Sequence, residues 1–145
     1  MENIKILVPL DDITECVAVM SDYDLKKQRR NIRRTLLFLA GKLELQDPDK
    51  VRMMWEGHEE FLKYYFNTSR VFMSQRGYIV GPPMKGQDDL AHIDTPSWWG
   101  DDRVHRNHRL ILFQDDHDFY CKYKWEGQLD VDKEKRYYWP VTENI

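Results

Sequence analysis

The chain has 145 residues, of which 41% are hydrophobic and 32% charged, and this suits one folded domain of about 100–200 residues. The composition excludes a disordered or collagen-like chain. The formal net charge is −3, from 22 Lys and Arg against 25 Asp and Glu. It excludes a protein that is basic over its whole surface, so nucleic-acid binding would require a local basic patch.

The first residues lack the basic and apolar stretches of a signal peptide, and no apolar run is long enough to span a membrane. We therefore expect a cytoplasmic protein that is not secreted and has no membrane partner. Cys16 and Cys121 have no Cys-x-x-Cys spacing, which predicts two buried free thiols. Without a phosphate-binding loop, a dinucleotide turn or a His-Glu-x-x-His pair, the sequence predicts neither a metal nor a cofactor.

The chain begins with an apolar run at residues 4–10 that Pro9 interrupts. No second strand of similar quality follows, so we expect a packed extended segment rather than a strand of a sheet. The next residues, 11–24, are acidic. From about residue 24, apolar positions recur at helical spacing and predict a long helix that lasts until Gly41.

A second long helix is predicted from near Pro48, with Gly77 as its C-terminal cap. Residues 79–97 contain three Pro and two Gly and predict a surface loop. Asp101 or Asp102 then caps a third helix, and the pair Asp115-Asp116 caps a shorter fourth one. The aromatic end, Tyr137-Tyr138-Trp139-Pro140, is expected to pack on the body. The sum is an all-α fold, a compact single domain over residues 1–145 with four or five helices and irregular loops.

A basic strip lies on the first long helix and is defined by six residues of the segment 26–34, which contains no acid: Lys26, Lys27, Arg29, Arg30, Arg33 and Arg34. At helical spacing these side chains cover an arc of roughly 160°. Like charges at i,i+4 destabilise a helix by a few tenths of a kcal/mol, so an anionic partner is expected. The acidic residues 11–24 are one candidate partner, and a phosphate backbone is the other.

A second concentration of aromatic and basic residues runs from Trp98 to Arg109. Two indoles ahead of a helix, followed by Arg103, Arg106 and Arg109, form a mixture that stacks on bases and binds phosphates. His105 and His108 are three residues apart, but a zinc site needs further ligands that the sequence does not place nearby. The apolar position of His108 also favours a structural role in the core, as it does for His58.

Three blocks of this chain, taken together and in order, resemble a group of small bacterial and viral proteins related to pyrimidine dimer DNA glycosylases of the endonuclease V type. The blocks are Leu25-x-Lys27-Gln28-Arg29, then Val51-x-Met53-Met54-Trp55-Glu56-Gly57-x-Glu59 with Arg76-Gly77-Tyr78, then Pro96-Ser97-Trp98-Trp99-Gly100-Asp101-Asp102-Arg103-Val104-His105-Arg106-Asn107-His108-Arg109 with Tyr138-Trp139-Pro140. The resemblance implies a compact all-α enzyme that acts on damaged DNA.

The resemblance further implies that a processed N-terminal threonine supplies an α-amine, which forms a Schiff base with the sugar, and that a glutamate on the first long helix assists it. An α-amine suits this chemistry because its pKa, about 7.7–8.0, leaves much of it deprotonated at neutral pH. In this chain the glutamate position falls at Asn31, and the bulky Glu2 is expected to leave Met1 in place. Met1 and Lys27 are the alternative nucleophiles, and Asp22 and Asp24 the alternative carboxylates.

The first hypothesis is therefore a DNA-acting protein that displaces a base from the stack, and the resemblance extends this hypothesis to a DNA glycosylase and lyase. Its candidate catalytic residues are Asn31, Met1, His105 and His108. Its candidate DNA-binding residues are Lys27, Gln28, Arg29, Arg30, Arg33, Trp98, Trp99, Arg103, Arg106 and Arg109. One alternative is a protein-interaction or inactive nucleic-acid-binding domain on the same scaffold. Another is a hydrolase of nucleotides that uses His105 and His108 as acid and base.

Overall fold

The computed structural model describes residues 4–125, and this part of the chain is all-α, as predicted. It has six α-helices: α1 (Ile13–Val19), α2 (Asp22–Leu39), α3 (Pro48–Trp55), α4 (Glu59–Gln75), α5 (Asp102–Asp115) and α6 (His117–Tyr120). Two short 3₁₀ turns occupy Leu90–His92 and Cys121–Tyr123. None of the helices within residues 4–125 is both long enough and apolar enough to cross a membrane.

Side-chain caps begin most of these helices where the sequence places them. The Asp101 carboxylate accepts a hydrogen bond from the Arg103 amide at 3.0 Å and starts α5, and Asp116 starts α6 in the same way. Ser21 caps α2 and accepts from the Asp24 amide. Helix α1 is an element that the sequence analysis missed, since Asp12 caps it within the acidic segment.

The prediction of one continuous helix from Pro48 to the cap at Gly77 is wrong, because the chain breaks it between α3 and α4. Gly57 lies in the left-handed region at φ +87°, a conformation that only glycine adopts at little cost. The amide of Glu56 still completes α3, whereas the His58 amide turns back to the Trp55 carbonyl at 2.9 Å. The predicted cap at Gly77 is confirmed, with φ +94°.

Residues 4–10 are extended and lie in the interior, as predicted. Ile6, Leu7 and Val8 are each at most 5% exposed and belong to a hydrophobic cluster that also contains side chains of α1 to α5. The predicted loop over residues 79–97 is confirmed apart from its 3₁₀ turn. Asn67 of α4 holds this loop, since its side-chain amide exchanges two hydrogen bonds with the backbone of Met84.

The prediction of two buried thiols is correct for Cys16 and wrong for Cys121. Cys16 is buried beside the extended segment, whereas Cys121 is exposed in the 3₁₀ turn that follows α6. Both cysteines are free. The short α6 leaves the Cys121 side chain outside the core, and helical periodicity cannot be read from four residues.

The break at Gly57 leads to a prediction about stability. Replacing Gly57 by Ala forces a Cβ atom into a left-handed conformation, so we expect the free energy of unfolding to fall by about 1–2 kcal/mol. Urea denaturation would measure it. The control is Gly81→Ala, because Gly81 has no left-handed φ and no atoms near its Cβ position. Equal stability of the two variants would contradict the strain at Gly57.

Candidate functional site

The extended segment crosses a groove of polar side chains that come from four helices. At Leu7, the amide donates to the Gln28 side-chain oxygen of α2 at 2.8 Å, and the carbonyl accepts from the Tyr65 hydroxyl of α4 at 2.6 Å. Gln28 is 1% exposed, and Tyr65 is fully buried. The side chains of two different helices thus replace the neighbouring strands that an extended segment would have in a sheet.

Val8 lies between the two histidines of α5. Its amide donates to Nδ1 of His108 at 2.8 Å, and its carbonyl lies 2.7 Å from Nδ1 of His105. Because the Gly100 amide donates to Nε2 of His105 at 3.1 Å, the proton of a neutral His105 ring is on Nδ1 and is donated to Val8. Burial lowers the pKa of His105, which favours this neutral form.

The last two residues of the segment are held in the same manner. Arg109 donates to the Pro9 carbonyl at 2.9 Å, and the Cys16 sulfur exchanges hydrogen bonds with both the amide and the carbonyl of Leu10. Burial raises the pKa of the Cys16 thiol, so the sulfur stays protonated and can donate. Since Pro9 has no amide hydrogen, every backbone polar group from Leu7 to Leu10 has a side-chain partner.

Asn31, one of the candidate catalytic residues, also contacts this segment. Its side-chain amide donates to the Lys5 carbonyl at 2.8 Å, and Asn31 is 3% exposed. Asn31, His105 and His108 therefore converge on one stretch of backbone, from α2 on one side and α5 on the other. Met1, the fourth candidate catalytic residue, and Tyr137-Tyr138-Trp139-Pro140 lie outside the described residues.

The two indoles of the Trp98-Trp99 pair have different environments. Trp98 is 4% exposed and packs edge-on against Trp55, with ring centroids 5.3 Å apart. Trp99 is partly buried, and its ring centroid lies 5.1 Å from that of Phe61 and 5.1 Å from that of His105. Stacking of Trp98 on a base would first require this indole to leave the aromatic cluster.

The other candidate DNA-binding residues of α5 contact acids at the start of their own helix. Arg103 pairs with Asp101 at 2.9 Å, and this hydrogen bond lowers the pKa of the Asp101 carboxyl. Arg106 lies 3.5 Å from Asp102. Arg109 is buried and bonded to Pro9, and Gln28 is buried and bonded to Leu7. Neither side chain could contact DNA without first breaking that bond.

The acidic residues before the basic strip are used mainly for other contacts. Asp22 pairs with Arg76 at 2.9 Å and accepts from the Tyr78 hydroxyl, and these two bonds, with a smaller contribution from Lys26, lower the pKa of its carboxyl. Asp24 is buried and accepts hydrogen bonds from Ser21 and the Tyr120 hydroxyl. Apart from Ser21, these partners lie about 50 to 100 residues away along the chain, so no local sequence pattern could indicate them.

Four residues of the basic strip therefore do not use the acidic segment as a partner. Within residues 4–125, no ion pair joins Lys27, Arg29, Arg30 or Arg33 to an acid of the segment 11–24. Arg30 and Arg33 are exposed, and Lys27 and Arg29 are partly exposed. Of the two partners that the sequence left open for the strip, the acidic segment is not the one that these four residues use.

Arg70 of α4, which the sequence analysis did not single out, adds a positive charge beside the strip. Burial and the charges of Arg33 and Arg70 together lower the pKa of Arg29. Helices α2 and α4 pack side by side, and this packing brings Arg70 to residues about 40 positions earlier. No local sequence pattern could have shown it, because it depends on how two helices are paired.

Further features of the described residues bear on catalysis. A cleft of about 470 Å³ is lined by Met20, Asp22, Arg76, Lys122 and Tyr123, among others, and of the predicted candidates it contains only Asp22, one of the two alternative carboxylates. Within residues 4–125, no group of three or more His, Cys, Asp or Glu side chains is arranged to hold a metal ion.

Comparison with protein-family models, with curated proteins and with solved structures gives no match to this chain.

The contact between Asn31 and Lys5 leads to a second prediction. Replacing Asn31 by Asp sets a carboxylate against the Lys5 carbonyl in place of an amide donor, so we expect a loss of about 1–3 kcal/mol in the free energy of unfolding at pH 7. The loss should shrink near pH 4, where the carboxyl group binds a proton. Denaturant titrations at both pH values test this, with the exposed Gln46→Glu as control. An unchanged stability would contradict the structural role of Asn31.

Proposed function

We propose that this chain binds DNA through the basic strip of α2. The observation that carries the proposal is that four of the strip's cationic side chains, those of Lys27, Arg29, Arg30 and Arg33, have no acidic partner in the segment that precedes them. A phosphate backbone carries negative charges at regular spacing. These charges can pair with cations along the whole length of the helix face. The net charge of −3 does not oppose this binding, because the acidic residues lie elsewhere.

The strip also has a geometry suited to a phosphate backbone. Its residues 26–34 span about 12 Å of helix axis at 1.5 Å per residue, a length that several phosphates of one strand can follow. Arg29 and Arg33 stand one helical turn apart, and their planar guanidinium groups fit phosphate oxygens in pairs. We therefore assign DNA contacts to Lys27, Arg29, Arg30 and Arg33 first.

A second candidate function is base excision with a Schiff-base intermediate, as the family resemblance implies. One observation favours it: Asn31 on α2 contacts Lys5 and His105 on α5 contacts Val8, so the residue at the glutamate position lies against the extended segment. Against it, Asn31 is an amide that cannot accept a proton as a carboxylate does, and His105 and His108 are already bonded to Val8.

The affinity for DNA should decrease steeply as the salt concentration rises. With about four phosphate contacts, the affinity for duplex DNA is expected to fall roughly 100-fold between 50 and 200 mM salt. The double variant Arg29→Ala with Arg33→Ala removes two contacts, so the slope of log affinity against log salt should decrease in magnitude by about 1.8. Fluorescence anisotropy with a labelled duplex measures both quantities.

The matched control is Lys50→Ala with Arg52→Ala, which removes the same charge from exposed positions of α3. This control should keep the wild-type slope and lose little affinity. DNA binding that is absent at 50 mM salt, or that responds equally to both double variants, would contradict the proposal.

Excision is tested separately with a duplex that carries an abasic site or a thymine dimer. If an amine of this chain attacks the sugar, borohydride should trap a covalent adduct between protein and DNA. Because the glutamate position holds Asn31, we expect no adduct even when the protein saturates the DNA, and we expect binding without strand cleavage. An adduct seen by denaturing electrophoresis would establish the second candidate function instead.

A further inference from the structure

We propose that Arg29, Arg33 and Arg70 together bind a single phosphoryl group, at a point where α2 and α4 meet. This inference rests on the proposed function for the source of the phosphoryl group, a DNA backbone, but it adds a residue outside the basic strip and one defined site.

Phe66 of α4 supports the first two arginines. The guanidinium carbon of Arg29 lies 5.1 Å from the centre of the Phe66 ring, and that of Arg33 lies 5.5 Å from it. Phe66 is 1% exposed, so its ring is a fixed part of the core. The negative face of the ring attracts both cations and holds two like charges at one place.

Arg70 follows Phe66 by one helical turn and is held by a loop. Its Nε atom donates to the Gly81 carbonyl, in the loop that Asn67 secures through its two hydrogen bonds to Met84. This bond uses one of the five donors of the guanidinium group. The terminal nitrogens of Arg70 remain as donors for a ligand.

The three arginines carry like charges. Burial lowers the pKa of Arg29 most, and the charges of Arg33 and Arg70 lower it further. Arg29 Nε is buried without a hydrogen-bond partner among the described residues. No acid within residues 4–125 forms an ion pair with any of the three arginines. Guanidinium groups that lie close together without a carboxylate repel one another. A bound anion would attract all of them and offset this repulsion.

A phosphoryl group fits this arrangement better than a carboxylate does. It offers several oxygens in a tetrahedral array, so it can accept from three guanidinium groups that approach from different directions. A carboxylate has two oxygens in one plane and is matched by a single arginine. The group can come from a DNA backbone or from a free phosphorylated molecule, and the two arms of the experiment separate these sources.

The first arm uses inorganic phosphate as the probe and thermal unfolding as the readout. At 20 mM phosphate we expect the melting temperature of the wild type to rise by about 3 °C over chloride at equal ionic strength. The variants Arg29→Gln, Arg33→Gln and Arg70→Gln should lose this rise. Arg30→Gln, an exposed neighbour on the same helix, should keep it. No rise in the wild type, or the same rise in Arg70→Gln, would overturn the site.

The second arm measures the salt dependence of DNA binding for Arg70→Gln, with Arg52→Gln as the control. We expect the magnitude of the slope to fall by about 0.9 and the affinity to fall roughly tenfold for Arg70→Gln alone. If Arg70→Gln binds DNA as the wild type does while Arg29→Ala with Arg33→Ala is weakened, the site is overturned and the proposed function stands. If phosphate stabilises the protein but DNA does not bind, the site stands for a free phosphorylated molecule and the proposed function fails.

Discussion

The fold depends on burying an extended segment for which the described part of the chain, residues 4–125, provides no sheet. Residues 4–10 place Leu7 and Val8 at the centre of the hydrophobic cluster, and their peptide groups have to be bonded there. A buried polar backbone group without a partner costs about 1–3 kcal/mol, so leaving the groups of four consecutive residues unmet would cost a free energy comparable to the whole stability of a typical domain. The helices meet this demand with side chains, and their buried faces are polar where the segment passes.

This constraint explains residues that otherwise suggest catalysis. Gln28 and Asn31 on α2, Tyr65 on α4 and the histidine pair on α5 combine polar chemistry with burial, which is also the pattern of an active site. Here each of them has a backbone partner on the segment, at 2.6 to 2.8 Å in the shortest contact of each. The same residue types thus serve to hold a peptide, and geometry alone distinguishes this role from acid–base chemistry.

Local signals in the sequence predicted much of this fold. Proline and glycine located the loop at 79–97, and aspartate located the start of α5, because these effects act within a few residues. The break at Gly57 was missed because a glycine inside a helical pattern is equally compatible with continuation. Which helix supplies each partner of the extended segment, and which arginine joins the basic strip, depends on contacts up to about 100 residues apart, and no spacing rule encodes them.

The acidic segment and the basic strip differ in how their charged side chains are used within the protein. Asp12 caps α1, Asp22 joins α2 to Arg76 at the end of α4, and Asp24 joins α2 to Tyr120 of α6, so these three carboxylates hold the fold together. Had they faced the basic strip instead, they would have offset part of its positive charge. Because they point elsewhere, α2 has one face bonded to the buried segment and another whose positive charge is available to an anion from outside the chain.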